Sequence, residues 1–247
     1  MRLVLLPGMD GTVVLFRPLL AELPCWLRPA VIAFPGDQPL DYSQLASLVR
    51  SELPADEDFV LVAESFSGPL ALLLADVASA QLRDVVLCAS FARCPLPWPV
   101  RCVARLAGAW WFRLAPMASC RRVLLGRHTA DGLKQLLDEA LTLVSPTVLA
   151  ARVRAIATVD VTAELQRCRV PVLYLAASRD RLVGPRSIAL IRKARPDVQV
   201  IQLDGPHLLL QAAPAAAAQA LVAFAQQVQA TPAVPPDEGH GKGRARA

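Results

Sequence analysis

A chain of 247 residues can form one large α/β domain or two small ones, and its 54% hydrophobic and 19% charged residues argue against disorder as its main state. The formal net charge of +5 comes from arginines that are scattered along the chain. A nucleic-acid-binding protein would gather its basic residues on one element with aromatic residues between them, so the composition does not support that function.

The cysteines and the N-terminus bear on the compartment. Cys25, Cys88, Cys94, Cys102, Cys120 and Cys168 form no C-x-x-C pair and have no zinc-ligand spacing with histidine. Free thiols are typical of a reducing compartment. The first apolar run is too short for a signal peptide, and no stretch reaches the ~18 apolar residues of a membrane span. We therefore expect a cytoplasmic protein without a metal or a cofactor.

Six short apolar runs, each bounded by turn residues, predict the strands of a sheet. They cover residues 3–6, 30–34, 59–63, 85–89, 170–176 and 198–203, and helical patterns cover residues 15–23, 43–53, 69–78, 185–194 and 214–228, the second with Ser43 as its N-cap. Because the runs are continuous rather than alternating, we expect both faces of each strand to be covered. The predicted fold class is α/β, a doubly wound, mostly parallel six-stranded sheet with helices on both faces and an inserted helical cap.

The cap is predicted where the alternation of strand and helix stops, between residues 91 and 160. Apolar residues from Leu133 to Val144 recur at helical spacing, and Ser145-Pro146 is typical of the start of a helix that runs to about residue 158. An earlier helix is predicted over residues 99–114. We expect residues 1–90 and 161–229 to form the core, residues 91–160 the cap, and the Pro-, Gly- and charge-rich residues 230–247 a flexible tail.

A strand, a serine among small residues and then a helix follow one another from Phe59 to Leu70, which is the layout of a nucleophile elbow. The tight turn lifts the serine hydroxyl above the sheet, and its neighbours must be small because strand and helix backbones nearly touch. Ala63 and Ser67 stand where the usual G-x-S-x-G pattern has glycine. Ser65 is the predicted nucleophile. Ser67 is a rival that would lie inside the first helical turn, and Ser65 could instead only cap the helix.

His207 is the predicted general base, which a serine hydroxyl needs in order to attack a carbonyl carbon. Of the other two histidines, His240 lies in the predicted tail and His128 in the predicted cap. His207 follows the last predicted strand, so it shares one edge of a parallel sheet with Ser65. The alternative is that His207 is an ordinary loop residue or a helix cap.

Asp180, which follows the preceding predicted strand, is the predicted acid that orients the imidazole. Arg179 and Arg181 flank it and are expected to keep it ionised. The alternative is a surface aspartate paired with those arginines. Asp204 is a competing acid, but it stands only three residues before His207, and the chain order serine, aspartate, histidine favours Asp180.

The glycine-rich loop of residues 6–12, after the first predicted strand, can point backbone N–H groups into the same site. A tetrahedral intermediate needs two such donors, and the candidates are the N–H groups of Met9 and Phe66. Taken alone, the loop could also bind phosphate, but it has neither the G-x-G-x-x-G pattern nor a Walker lysine.

These motifs, in this order, resemble the α/β-hydrolase superfamily over residues 3–228, most of all its small esterases, lysophospholipases and acyltransferase-like members. The matching segments are Leu6-Pro7-Gly8-Met9-Asp10-Gly11-Thr12, Glu64-Ser65-Phe66-Ser67-Gly68, Asp180 and Gly205-Pro206-His207. Members begin with extra antiparallel strands, whereas this chain starts at what would be the third strand, so we expect a reduced, mostly or wholly parallel sheet. The resemblance implies hydrolysis of an ester or thioester through an acyl-enzyme, without a metal.

The predicted cap bears on substrate and partners. Trp110 and Trp111 are predicted to line an apolar pocket for an acyl chain, although they could instead only pack the cap onto the core. Arg101, Arg105 and Arg113 alternate with apolar residues, which allows a peripheral membrane contact through the cap. The expected partner is a small-molecule acyl ester or thioester, with no nucleic acid. An acyltransferase with the same triad and a non-catalytic binding protein are the alternatives.

Overall fold

The structure is a computed structural model that describes residues 1–77, 80–114, 122–126 and 131–230. Its strands are β1 (Arg2–Leu6), β2 (Pro29–Val31), β3 (Phe59–Glu64), β4 (Leu82–Cys88), β5 (Val172–Ala177) and β6 (Gln199–Leu203). They form one sheet in the order β2-β1-β3-β4-β5-β6, and every neighbouring pair is parallel. The predicted α/β class and parallel sheet are confirmed.

The helices of the core are α1 (Arg17–Glu22), α2 (Tyr42–Glu52), α3 (Ser67–Asp76), α8 (Thr162–Arg167), α9 (Pro185–Ala194), α10 (Leu209–Ala212) and α11 (Pro214–Ala230). Between β4 and β5 lie α4 (Trp98–Ala104), α5 (Ala109–Leu114), α6 (Asp131–Thr142) and α7 (Pro146–Thr158). Short 3-10 turns precede α1 at Val14–Phe16 and β2 at Cys25–Leu27.

Central strand β3 shows why a continuous apolar run forms a strand here. Leu61 and Ala63 pack into the cluster on one face of the sheet, and Val60 and Val62 pack into the cluster on the other. All six residues of β3 are buried. Each large apolar side chain buried in this way contributes ~1.5–3 kcal/mol, so apolar residues on both faces of the strand stabilise the fold.

The prediction that both faces of every strand are covered is wrong for the two edge strands. Side chains of β2 are only half-buried, and most of those of β6 are exposed. An edge strand has a neighbour on one side only, so the helices over the central strands leave it accessible. β2 also ends at Val31, earlier than predicted, because the chain leaves β1 there and the Phe34 N–H donates to the Gly11 carbonyl at 2.8 Å.

Two predictions about helices are also wrong. Asp41, not Ser43, is the N-cap of α2, because the Asp41 carboxylate accepts the Gln44 N–H at 2.9 Å while the Gln44 side chain accepts the Asp41 N–H. The helix predicted over residues 99–114 is two helices, α4 and α5, with Gly108 in the break. Ser145 does cap α7, since its side chain accepts the Val148 N–H at 3.3 Å.

The segment between β4 and β5, which carries the predicted cap of residues 91–160, leaves and rejoins the sheet at neighbouring points, since Arg93 and Asp160 form an antiparallel bridge. The exact domain boundaries stay a prediction.

His128 and Cys120 lie outside the described residues, as do residues 231–247 of the predicted tail and its His240. Among the described helices, none alone is long and apolar enough to cross a membrane; α6 and α7 pass only as a pair bent by 99°.

Candidate active site

Ser65 lies on the turn between β3 and α3 and has a φ of 48°, a left-handed conformation that costs a non-glycine residue ~1–2 kcal/mol. The turn is held by its backbone: the Ser65 N–H donates to the Cys88 carbonyl at 2.9 Å, and the Ser90 hydroxyl donates to the Ser65 carbonyl. A strained serine held at the end of a buried strand is the geometry of a nucleophile elbow.

Ala63 and Ser67, which stand where the usual elbow pattern has glycine, are accommodated in two different ways. Ala63 is fully buried in β3, and Ser67, also buried, donates its hydroxyl to the Pro7 carbonyl. The Ser67 oxygen is therefore engaged with the loop after β1. A side chain at Gly68 would overlap the Ser90 hydroxyl, so this position needs glycine for the close approach of α3 to the end of β4.

His207 lies on the loop between β6 and α10 and contacts both other predicted triad residues. Its Nε2 is 2.8 Å from Ser65 Oγ, and its Nδ1 is 2.8 Å from Asp180 Oδ2. The side chains of His207 and Asp180 are 3% and 4% exposed, so the pair is shielded from water. The structure thus brings the three predicted side chains together, from chain segments 142 and 27 residues apart.

Asp180 is oriented by backbone groups rather than by arginine. Its Oδ1 accepts the N–H groups of Leu182 at 2.8 Å and Val183 at 2.9 Å, which leaves Oδ2 for the imidazole. Arg179, expected to act on Asp180, instead pairs with Asp204 and holds the pKa of that carboxyl below its usual value. The exposed side chain of Arg179 reaches the neighbouring loop after β6. Asp204, the rival acid, is thus paired at the surface.

The loop after β1, which carries Met9, is fixed from the segment between β4 and β5. Arg152 of α7 is 2% exposed, and its guanidinium donates to the carbonyls of Met9 and Asp10 at 2.9 Å each and of Pro35 at 3.0 Å. Gly11 has a φ of 73°, and a Cβ there would lie 2.6 Å from the guanidinium. Glycine is therefore required where the loop wraps around the arginine.

Phe66, the other candidate oxyanion donor, is the first residue before α3. Its carbonyl accepts the Tyr42 hydroxyl at 2.9 Å, and its ring stacks on Tyr42 with ring centres 4.8 Å apart. The hydrogen bond from Ser67 to Pro7 joins the elbow to the loop that carries Met9. Both candidate N–H groups are thus on segments that are bonded to each other, and their catalytic role stays a prediction.

Buried ionisable side chains lie next to the elbow. Burial, with the nearby charge of Asp10, raises the pKa of Glu64 to about 8. Burial also raises the pKa of Asp10, against two hydrogen bonds from Thr12 that lower it. Burial lowers the pKa of Arg152 to about 10, and the Asp10 charge opposes that shift.

Sequence reasoning assigned no role to Arg152, Glu64 or Gln211, although the first two had a signal. Arg152 is a charged residue on the buried face of α7, and Glu64 ends an otherwise apolar strand. Buried charges are rarely found without a partner, so both positions pointed to contacts that local patterns do not identify.

The predicted substrate-binding tryptophans lie in α5, in the segment between β4 and β5. Their ring centres are 6.2 Å apart with planes at 18°, and Trp110 is 62% exposed, while Trp111 is half-buried. Their contact with a substrate stays a prediction.

An all-parallel sheet with helices on both faces, a serine elbow and helices inserted between β4 and β5 define a protein of the α/β-hydrolase fold. Residues 3–220 match the model of the Alpha/beta hydrolase family, and the chain belongs to this family. No curated protein sequence matches the chain at a significant level.

Solved structures show the same fold at low sequence identity. An esterase from Thermogutta terrifontis is 19% identical with a TM-score of 0.78, over 92% of this chain and 90% of that one. An enol-lactonase from Burkholderia xenovorans is 20% identical with a TM-score of 0.73, over 91% of each chain. A bromoperoxidase from Bacillus anthracis is 16% identical with a TM-score of 0.79, also over 91% of each chain.

Proposed function

We propose that the protein is a serine hydrolase that cleaves a carboxylic ester or thioester through an acyl-enzyme. One observation carries the proposal: Ser65 Oγ, the His207 ring and Asp180 Oδ2 form a hydrogen-bonded series with 2.8 Å at each step. These are the contacts that a base needs to remove the serine proton and that an acid needs to hold the base in the right tautomer.

In the first half of the reaction, Ser65 Oγ attacks the acyl carbonyl carbon while its proton passes to His207 Nε2. Asp180 Oδ2 accepts the Nδ1–H and stabilises the imidazolium. The N–H groups of Met9 and Phe66 stabilise the oxyanion, a contribution of ~10²–10³ in kcat per donor in enzymes of this kind. The intermediate collapses, the bond to the alcohol or thiol breaks, and that leaving group takes the proton from His207.

Water completes the cycle in the second half. His207 removes a proton from water, whose oxygen attacks the acyl-enzyme carbonyl. As the second tetrahedral intermediate collapses, the bond between the acyl carbon and Ser65 Oγ breaks, the acid leaves, and His207 returns the proton to Oγ. Besides water, these steps use three side chains and two backbone donors of the protein.

Exposed apolar side chains favour an apolar acyl substrate delivered from a lipid surface. Leu106 is 80% exposed, Trp98 77% and Trp110 62%, all on or beside α4 and α5. The exposed Arg105 follows α4 and adds positive charge beside them. Large apolar side chains next to arginine fit the interface of an anionic bilayer, which we propose as the surface that this part of the protein contacts.

The decisive experiment is labelling by a fluorophosphonate, which reacts with an activated serine. The wild-type protein should be labelled, Ser65→Ala should not, and Ser67→Ala should be labelled because the Ser67 hydroxyl is bonded to a backbone carbonyl. A folded wild-type protein that stays unlabelled would refute the proposal in favour of a binding protein. p-Nitrophenyl esters of graded chain length would then define the acyl group, and added alcohols would reveal acyl transfer.

A further inference from the structure

A buried pair of side chains, Glu64 and Gln211, connects the chain segments that carry the proposed nucleophile and the proposed base. Glu64, the residue before Ser65, is 1% exposed, and Gln211, four residues after His207, is 5% exposed. Gln211 Nε2 donates to Glu64 Oε2 at 3.1 Å. This hydrogen bond joins the end of β3, next to the serine, to α10, which follows the histidine loop.

The same pair contains two unsatisfied oxygens. Glu64 Oε1 and Gln211 Oε1 are both buried, and neither has a hydrogen-bond partner among the described residues. An ionised carboxylate only accepts, so it cannot satisfy the amide oxygen, whereas a neutral carboxyl group can donate. A proton on Glu64 Oε1 would supply a donor to the Gln211 amide oxygen, and with the bond from Gln211 Nε2 it would make a two-bond ring of carboxylic acid and amide.

The surroundings of Glu64 favour that proton. Asp10 approaches it from the loop after β1, and burial together with the Asp10 charge raises the pKa of Glu64 to about 8. Cys88 faces it from the end of β4, and burial raises the pKa of that thiol well above its usual value, with further increases from Glu64 and Asp180. Arg152 gives its hydrogen bonds to backbone carbonyls.

We propose that Glu64 is a positioning residue, held as a neutral acid that donates to Gln211 Oε1 while it accepts from Gln211 Nε2, and that this ring sets the placement of His207 against Ser65. When hydroxide removes the proton, two acceptor oxygens face each other and one of the two bonds is lost. A second negative charge also arises beside Asp10, beneath the loop that is proposed to stabilise the oxyanion. The effect on catalysis rests on the proposed function; the protonation of Glu64 does not.

The first test is the pH dependence of kcat/KM for p-nitrophenyl butyrate. For the wild-type enzyme, kcat/KM should fall with a midpoint near the Glu64 pKa of about 8 and then level off about tenfold lower, the usual effect of one lost hydrogen bond. Glu64→Gln, whose amide can still form a two-bond ring with Gln211, should lose this fall. An alkaline limb that is unchanged in Glu64→Gln would overturn the proposal.

Asp84→Asn is the matched control. Asp84 is also a buried carboxyl with a raised pKa, about 7. It lies near the beginning of β4, whereas Ser65 lies beyond the C-terminal end of the neighbouring strand β3. Its replacement should leave the alkaline limb as in the wild type. If Asp84→Asn removes the limb as Glu64→Gln does, the limb reports general stability and the positioning role fails.

The second test does not depend on hydrolysis. Infrared difference spectra of wild type against Glu64→Gln should show the carbonyl band of a neutral carboxyl group at neutral pH, replaced by carboxylate bands through a midpoint of about 8. Carboxylate bands already present at neutral pH would overturn the neutral acid. If the neutral band is present but fluorophosphonate does not label Ser65, the proposed function fails while the protonation stands.

Asp10→Asn keeps the proposal testable if Glu64→Gln does not fold, because the Glu64 carbonyl band can then be followed in infrared difference spectra of one protein between two pH values. Removal of the neighbouring negative charge should shift the midpoint of the Glu64 infrared titration to lower pH, because that charge helps to raise the pKa. An unshifted midpoint would contradict the arrangement of the two carboxyl groups.

Discussion

Replacement of Arg152 by methionine should destabilise the protein and also loosen the loop after β1, which we propose as the oxyanion loop. The guanidinium is buried and donates to three carbonyls, two of them in the loop that carries Met9. Methionine has a similar length but no donor, so one buried and two partly buried carbonyls lose their partner, at about 2 kcal/mol each.

The burial of the charge offsets part of that loss. The pKa of Arg152 falls from 12.5 to about 10, which corresponds to ~3 kcal/mol for keeping the buried guanidinium charged. Of the ~6 kcal/mol lost with the three hydrogen bonds, about 3 kcal/mol therefore remains as the expected decrease in the free energy of unfolding. A loosened loop should also lower kcat/KM by about 10²-fold, the usual effect of one misplaced oxyanion donor.

Urea denaturation and p-nitrophenyl ester kinetics measure the two effects. Arg154→Met is the matched control, because Arg154 lies in the same helix but is exposed and donates to the Ala107 carbonyl, away from the oxyanion loop. We expect it to cost less than about 1 kcal/mol and to leave kcat/KM near wild type. An Arg152→Met protein as stable and as active as Arg154→Met would refute the reasoning.

Two further predictions concern pH and the lipid surface. Burial raises the pKa of Asp84 to about 7 in the folded state, so its contribution to stability is complete at low pH and is lost as the pH rises from about 4 through about 7. Asp84→Asn should remove this dependence, seen in urea midpoints measured across that range; equal pH slopes in the two proteins would contradict it. Replacement of both Trp98 and Leu106 by serine should weaken sedimentation with phosphatidylglycerol vesicles by more than about tenfold, since each side chain buries apolar area worth ~1.5–3 kcal/mol. Equal sedimentation of variant and wild type, or none by wild type, would exclude the proposed contact.

The order of the motifs was enough to predict which side chains would meet. Ser65, Asp180 and His207 each follow a strand of a parallel sheet, and such loops share the carboxyl edge whatever their separation in sequence. The continuous apolar runs likewise predicted six strands, because residues on both faces of a central strand are buried. The apolar runs could not predict which strands lie at the edges of the sheet. The run that forms β6 is apolar in part, as a central strand would be, but β6 pairs only with β5.

Partners of the buried charges could not be predicted for a different reason. Arg152 and Met9 are 143 residues apart, and Glu64 and Gln211 are 147 apart. No periodicity relates such positions, so a charged residue in an apolar element shows only that some partner exists. The cap of α2 is a local example: both Asp41 and Ser43 are good N-cap residues, and the backbone turn selects Asp41.

The contacts among β3, α3 and the loop after β1 explain why the elbow has no glycine at positions 63 and 67. Ala63 lies within β3, where its methyl group packs into the buried cluster on one face of the sheet, and the Ser67 hydroxyl donates to the Pro7 carbonyl. The need for glycine is instead met at Gly68, where any side chain would overlap Ser90. Ser67 thereby ties the elbow to the loop that carries Met9, so the departure from G-x-S-x-G adds a contact between the nucleophile turn and the proposed oxyanion donors rather than removing one.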